Sequence, residues 1–281
     1  MPTEEPLLRN LADTARWVAA HRARETARKD AHFRDPFAAR LAGERGEAIL
    51  RRIGCKNDWT FTARTVEFDT ALARFLAEGA DTVVNLAAGF DTRPYRMNLP
   101  SSLRWFELDL PAILEEKERL LAGETPVCQV ERIPVDLADV TARRAIFERI
   151  GAASRRAVVL TEGLLIYLTE PAVASLSADL SAVPAFRHWV LDMVSPVLLP
   201  MIGKTIAKLN DGGVSVHFAP AVGPPFFEAH GWRVVSARSL LKAAVGQRRL
   251  GFIMRLVALL PDSQGRPSRQ PWGGVCILEK P

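Results

Sequence analysis

The sequence predicts an α/β fold: a mostly parallel sheet with helices on both faces. Three observations predict it. From residue 82 onward, short apolar runs of strand length recur, several rich in β-branched or aromatic residues. Helix-length segments with apolar residues three and four apart separate these runs. Residues 7 to 78 carry the helical spacing instead, so a helical extension precedes the sheet. Strand and helix alternating at this pace argue for parallel strands buried between helical layers.

The elements follow in order. "LLRNLADTARWVAAHRARETARKD" and "DPFAARLAGERGEAILRRI" are predicted helices, with Asp35-Pro36 as N-cap acid and first helical residue of the second. A third helix is expected from Thr60 to Glu78, closed by Gly79. "TVVNLAA", "LRWFELDL", "VERIPVDL", "RAVVLTEGLLIYL" and "FRHWVLDMV" are the expected strands of the sheet. "PAILEEKERLL", "DVTARRAIFERI" and "PAVASLSADLSAV" are the helices between them, and "GWRVVSA" and "GGVCILEK" supply two more strands. No repeat or low-complexity linker divides the chain, so residues 1–281 are expected to form one domain. Its parts are a helical cap (1–79), a core (80–195), and a closing region (196–281) of lid insertions and the last two strands.

Composition narrows the function classes. Hydrophobic residues make up 48% and charged residues 25%, enough for a large core. The net charge is +5, but no dense Lys/Arg block interleaved with aromatics supports nucleic-acid binding. Cys55, Cys128 and Cys276 are far apart and odd in number, which fits neither a metal-ligand spacing nor a disulfide framework. The N-terminus lacks the basic-then-apolar pattern of a secretory signal. No run approaches the ~20 apolar residues of a spanning helix. A cytoplasmic protein without membrane contact is expected.

Five features sit where an open α/β sheet binds ligands, at the carboxyl ends of its strands. The small residues Ala87-Ala88-Gly89 after the first strand let backbone N–H groups approach a ligand. Asp109 ends the second strand 20 residues after Gly89, where an acid can accept both hydroxyls of a ribose. Glu107 shares its face by alternation. Asp136, ending the third strand, can accept from an adenine amino group while Leu137 packs on the ring. Glu162 and Tyr167 interrupt an apolar strand and its exit; an acid there needs a structural partner or a cationic ligand. Arg64, on the helix before the first strand, suits a carboxylate. Singly, each is also explained as an ordinary polar strand end or surface arginine. A nicotinamide dehydrogenase could use Asp109 too, but "GFDTRPYR" lacks the further glycines of a dinucleotide turn.

In order, "FTARTVEFD", "VVNLAAGFDTRPYR", "WFELDLP", "PVDL" and "LTEGLLIYLT" resemble the leucine carboxyl methyltransferase family. The closer resemblance is to its bacterial branch, which includes tetracenomycin-type polyketide carboxyl O-methyltransferases, and it covers roughly residues 15 to 195. The resemblance implies a class I methyltransferase (Rossmann-like) sheet with an antiparallel last strand, using S-adenosylmethionine. It places Arg64 on the methionine carboxylate, Ala87 and Gly89 beside the amino acid part and Asp109 on the ribose, with Leu110 also among the cofactor-binding residues. Asp136 and Leu137 fall at the adenine, and Glu162 near the methionine amino group. Tyr167 and Arg22 match positions that hold a substrate carboxylate. Relatives carry glycine where this chain has Ala87; if that position needs φ > 0, alanine strains it by about 1 kcal/mol or more.

The expected reaction is O-methylation of a small natural product, with a carboxylate preferred because it is ionised at neutral pH and needs no base. A phenol acceptor would need a base, for which His217 is the candidate. A protein-tail methyltransferase and a non-catalytic S-adenosylmethionine-binding protein are the remaining alternatives. The expected partner is an acidic, partly apolar small molecule. The apolar stretches "MVSPVLLPMIGKTIAKLNDGG" and "FAPAVGPPFFEAHGW" suit a hydrophobic acceptor pocket, packing on each other, or a second subunit of a homodimer.

Overall fold

Val83, Val84, Asn85 and Leu86 are all buried at the centre of the sheet, as a strand covered on both faces requires. The computed structural model describes residues 11–53, 58–207 and 214–281. Residues 7–10 of the expected first helix, Cys55, and residues 208–213 of the expected lid lie outside the described residues.

Strands β1 (Thr82–Leu86), β2 (Arg104–Asp109), β3 (Gln129–Pro134), β4 (Ala157–Thr161), β5 (Phe186–Val194), β6 (Arg233–Ser239) and β7 (Gly273–Glu279) form a 7-stranded sheet. Their order is β3-β2-β1-β4-β5-β7-β6. Strands β1 to β5 pair in parallel, and β7 runs antiparallel to both β5 and β6. This is the class I methyltransferase arrangement, mostly parallel with an antiparallel last strand. Strand order reverses between β1 and β4, which opens a crevice at their carboxyl ends.

The helices are α1 (Leu11–Thr26), α2 (Ala38–Ile53), α3 (Asp58–Ala77), α4 (Arg93–Arg96), α5 (Pro111–Leu120), α6 (Val140–Ala152), α7 (Glu170–Ala182), α8 (Leu199–Ala207), α9 (Leu240–Gly246) and α10 (Phe252–Val257). Alternation along each strand splits the core in two. Val84, Val159, Trp189 and Leu191 join the cluster built with Phe147 of α6 and Leu176 and Leu180 of α7. Val83, Val158, Leu160 and Val190 face the other way, onto Phe68, Leu72 and Phe75 of α3. A third cluster packs Ala19 and Ala20 of α1 and Leu41 and Leu50 of α2 on Phe90 and Ile113, so the N-terminal helices sit over the ends of β1 and β2.

Three boundaries differ from expectation. β4 stops at Thr161, because Gly163 (φ 70°) turns the chain, and Leu165–Tyr167 forms a single 3-10 turn. β3 stops at Pro134, a residue that an edge strand accommodates, so Asp136 lies in the following turn. The second helix begins at Ala38, and the Asp35 carboxylate has other partners besides the Phe37 N–H.

Candidate functional site

The carboxyl ends of β1, β2, β4 and β5 open into a cavity of about 1340 Å³, covered by α1, α3, α8 and α10. Its floor is the turn after β1. Ala87 (φ 50°) and Gly89 (φ 47°) both adopt left-handed backbone, which lets the chain fold back under the cavity. Asp109 at the end of β2 braces that turn. One carboxylate oxygen accepts the Gly89 N–H at 2.7 Å and the other accepts the Leu110 N–H at 2.7 Å. Each oxygen keeps a second lone pair for a ligand hydroxyl. Burial pushes the Asp109 carboxyl up, and the two N–H donors counter part of that shift.

The left-handed conformation of Ala87 makes its substitution informative. Glycine removes a strain of about 1–2 kcal/mol but returns up to about 1 kcal/mol of unfolded-state entropy. Ala87→Gly is therefore expected to keep or slightly raise the melting temperature and to keep or improve cofactor affinity in calorimetric titration. A loss of affinity would instead assign the methyl group a contact of its own.

A network of buried charges forms the opposite wall. Arg64 of α3 donates from Nε to Glu162 (3.1 Å) and from a terminal nitrogen to Asp192 (3.0 Å), while Asp192 also accepts the Gly163 N–H (2.7 Å). Arg93 of α4 reaches Asp69 (2.6 Å), Asp91 (2.8 Å) and Glu162 (2.8 Å). Arg96 donates to both oxygens of Asp69. Burial opposes ionisation of Glu162, but Arg93 and Arg64 outweigh it and hold its carboxyl below the usual range. Asp91 is held well below that range by Arg93 against the same desolvation. Burial pushes Asp192 up despite Arg64. The four carboxylates exceed the three guanidiniums by one negative charge.

Arg64, Ala87, Gly89, Asp109, Glu162, Tyr167 and Arg22 all line this cavity. Arg22, however, is bound within the protein: Nε donates to Asp35 (2.8 Å) and a terminal nitrogen to the Phe90 carbonyl (2.6 Å). It locks α1 to the turn after β1, where the sequence suggested a hold on substrate. Three other expected residues lie outside the lining. Leu110 caps α5 and packs in the cluster under the N-terminal helices. Asp136 is exposed and accepts the Ala138 N–H, and Leu137 packs against the core beside α6. Glu107, on the face of Asp109, is fully buried between Lys117 (2.8 Å) and Arg132 (3.0 Å). Its role is structural.

His217 is exposed, bonded to the Ser215 hydroxyl (2.6 Å), and outside the lining. A different histidine lines the cavity. His21 of α1 is buried, with Nδ1 2.9 Å from the Asp58 carboxylate and its ring stacked on Phe61 at 3.9 Å. Burial lowers its pKa, opposed by Asp58. Sequence reasoning missed this pair, Asp192 and Arg93. Asp192 had a visible signal, since it interrupts "FRHWVLDMV" as Glu162 interrupts its own strand.

These residues fit S-adenosylmethionine, whose sulfonium, ammonium and carboxylate sum to one positive charge. Glu162 and Asp192 can face the ammonium, Arg64 the carboxylate, Asp109 offers ribose acceptors, and Gly89 adds no side chain to the turn. Comparison with known proteins agrees. Residues 15–181 match the family model described as leucine carboxyl methyltransferase. A relative from Frankia alni, named "Putative S-adenosyl-L-methionine-dependent methyltransferase", is 35% identical over 258 residues, 83% of this chain and 88% of its own. A Streptomyces coelicolor protein of the same description is 38% identical over 179 residues, 59% of this chain. That match spans 62% of the relative's length. Two solved structures share the fold at low identity. A DUF574 family protein from Streptomyces avermitilis has a TM-score of 0.58 at 15% identity, covering 95% of this chain and 97% of that one. A methyltransferase structure from Thermobifida fusca has a TM-score of 0.59 at 16% identity, with 95% and 94% covered. By the family match, the Frankia relative and a cavity wall suited to their cofactor, the chain belongs to the leucine carboxyl methyltransferase family, which uses S-adenosylmethionine.

Proposed function

We propose that the protein methylates a carboxylate of a small, partly apolar natural product, forming a methyl ester. The favoured acceptor is a polyketide acid of the kind handled by the tetracenomycin-type branch that its motifs resemble, met in the cytoplasm. The observation that carries this proposal is one cavity joining the Asp109-braced turn, the Arg64–Glu162–Asp192 cluster and the Tyr167 hydroxyl. S-adenosylmethionine supplies an electrophilic methyl group on a sulfonium.

The chain's own residues bind and orient. Asp109 accepts the ribose hydroxyls, Glu162 with Asp192 faces the ammonium, and Arg64 presents its remaining guanidinium nitrogen to the methionine carboxylate. Tyr167, beside Arg64 and with its pKa raised by burial, stays protonated and donates to the acceptor carboxylate. Trp17, Phe61, Ile166 and Ile202 exclude water from the acceptor half. An acceptor carboxylate, with a pKa of about 4, arrives ionised. Charge is neutralised in the transfer, so a dry site favours it, and alignment supplies much of the acceleration.

Asp109→Ala is expected to weaken S-adenosylmethionine binding by about 1.5–3 kcal/mol, the range for lost hydrogen bonds to a charged group. Calorimetric titration of the folded variant measures it, with NAD as the competing ligand for the dehydrogenase alternative. Unchanged affinity in that variant removes Asp109 from the cofactor site. Turnover on a panel of carboxylic acids separates an enzyme from a binding protein.

The His21–Asp58 pair favours a second reading, a hydroxyl acceptor with His21 as base. The two readings differ in pH dependence. With a carboxylate acceptor, the rate stays flat from about pH 6 to 9, because neither acceptor nor arginine titrates there. Tyr167→Phe then lowers kcat/KM by about 1–2 kcal/mol and leaves cofactor affinity unchanged. With His21 as base, burial has lowered its pKa, so the rising limb falls below pH 6.5 rather than across neutrality. A preference for phenols, with a limb below that pH abolished in His21→Asn, would overturn the carboxylate assignment.

A further inference from the structure

The segment from Lys242 to Gln270 bears an apolar surface that extends beyond the methyl-transfer cavity. Phe252 is 76% exposed, Ile253 73% and Leu259 78%, and Leu256, Val257 and Leu260 are also exposed. At 100° per residue these six fall on one side of α10 and the turn after it. Met254 and Ala258, on the opposite side, pack into the core. The patch is held outward, because the Lys242 ammonium donates to the carbonyls of Ala258 and, at 2.8 Å, Leu260. Soluble monomers seldom expose so many large apolar side chains together.

Charge points the same way. This segment contains Lys242, Arg248, Arg249, Arg255, Arg266 and Arg269 against one acid, Asp262. Its excess equals the +5 of the whole chain. Arg249 is held by Glu25 and Asp30, while Arg248, Arg255, Arg266 and Arg269 are exposed. A short helix with an outward apolar face and a basic surround is the pattern of an interfacial anchor on anionic lipid.

From this we infer that α10 and its flanking arginines dock the protein on the surface of an anionic lipid bilayer. No helix among the described residues is long and apolar enough to cross a membrane; lying on one requires only this patch. Phe252, Ile253 and Leu259, each more than 70% exposed, can insert between headgroups. A second copy would set two equally basic patches against each other, which repulsion disfavours. Docking also has a consequence for the site. Val257 and Leu260 belong to the patch and also line the cavity, so docking would set the cavity mouth beside the lipid, where apolar acceptors enter.

Co-sedimentation tests this with vesicles of pure phosphatidylcholine and of equimolar phosphatidylcholine and phosphatidylglycerol. The wild-type protein is expected to bind the anionic vesicles, less so as salt rises, and to leave the neutral ones unbound. Phe252→Ser with Leu259→Ser should weaken binding on the order of a hundredfold, and Arg266→Glu with Arg269→Glu at least about tenfold. None of these four residues lines the cavity, so unchanged S-adenosylmethionine affinity shows that each variant is folded. The inference fails if wild type ignores anionic vesicles or if both folded variants bind as wild type does. It also fails if light scattering shows a dimer that the Phe252/Leu259 variant abolishes, which would assign the face to a second copy.

Discussion

Lys117→Met is expected to destabilise the fold by about 3–5 kcal/mol, the usual cost of removing one partner of a buried ion pair. Both Lys117 and Glu107 are fully buried, 2.8 Å apart, where α5 crosses β2. Methionine replaces the lysine stem in volume but leaves Glu107 with Arg132 alone, at 3.0 Å from its other oxygen. The orphaned oxygen then carries the desolvation cost without compensation. Denaturant unfolding measures the loss. A double variant, Lys117→Met with Glu107→Leu, should recover most of it, because two apolar groups leave no charge behind. If the single variant is as stable as wild type, the buried pair contributes nothing net. The effect extends to the site, since Glu107 lies two residues before Asp109 on the same face of β2.

Arg93→Met is the second large effect, expected to cost at least about 3 kcal/mol of stability and to make cofactor binding more strongly pH-dependent. Arg93 is buried and serves three carboxylates at once. Without it Asp69 keeps Arg96, Asp91 keeps the Asn85 amide, and Glu162 keeps Arg64. The negative excess of this charge network rises from one to two. Arg93 now holds the Glu162 pKa low, so its removal lets that pKa rise. Glu162 then takes up a proton as pH falls from neutral, and the ammonium loses its partner. Titration with S-adenosylmethionine from about pH 7 to 5 should show affinity falling more steeply in the variant than in wild type. The same pH profile in the folded variant as in wild type would show that Glu162 does not face the ammonium.

Strand content and order of elements were readable because they rest on local rules. Period-two alternation sorts Val83 from Val84 and Val158 from Val159 onto opposite faces, and the structure keeps that sorting. Asp109 was readable for a similar reason: strand, turn and helix have standard lengths, so an acid 20 residues after Gly89 ends the neighbouring strand. Ala87 was visible as a departure, and the structure decides its meaning by the left-handed φ of 50°. Asp136 shows where such counting fails. A β3 two residues shorter than expected turns its carboxylate to a local N–H and out of the cavity.

The sequence by itself determined the doubly covered sheet, the turn after β1 and the acids at its strand ends, since neighbours along the chain dictate those features. Only the tertiary structure decided which charges meet. With 37 Lys/Arg and 32 Asp/Glu, pairings are too many to infer from order. Arg22 goes to Asp35 across 13 residues, and Arg64 to Glu162 and Asp192 across 98 and 128. The same holds for His21 and Asp58, brought together by the packing of α1 on α3. A buried charge takes the partner that packing places within reach, and packing joins residues far apart in the chain.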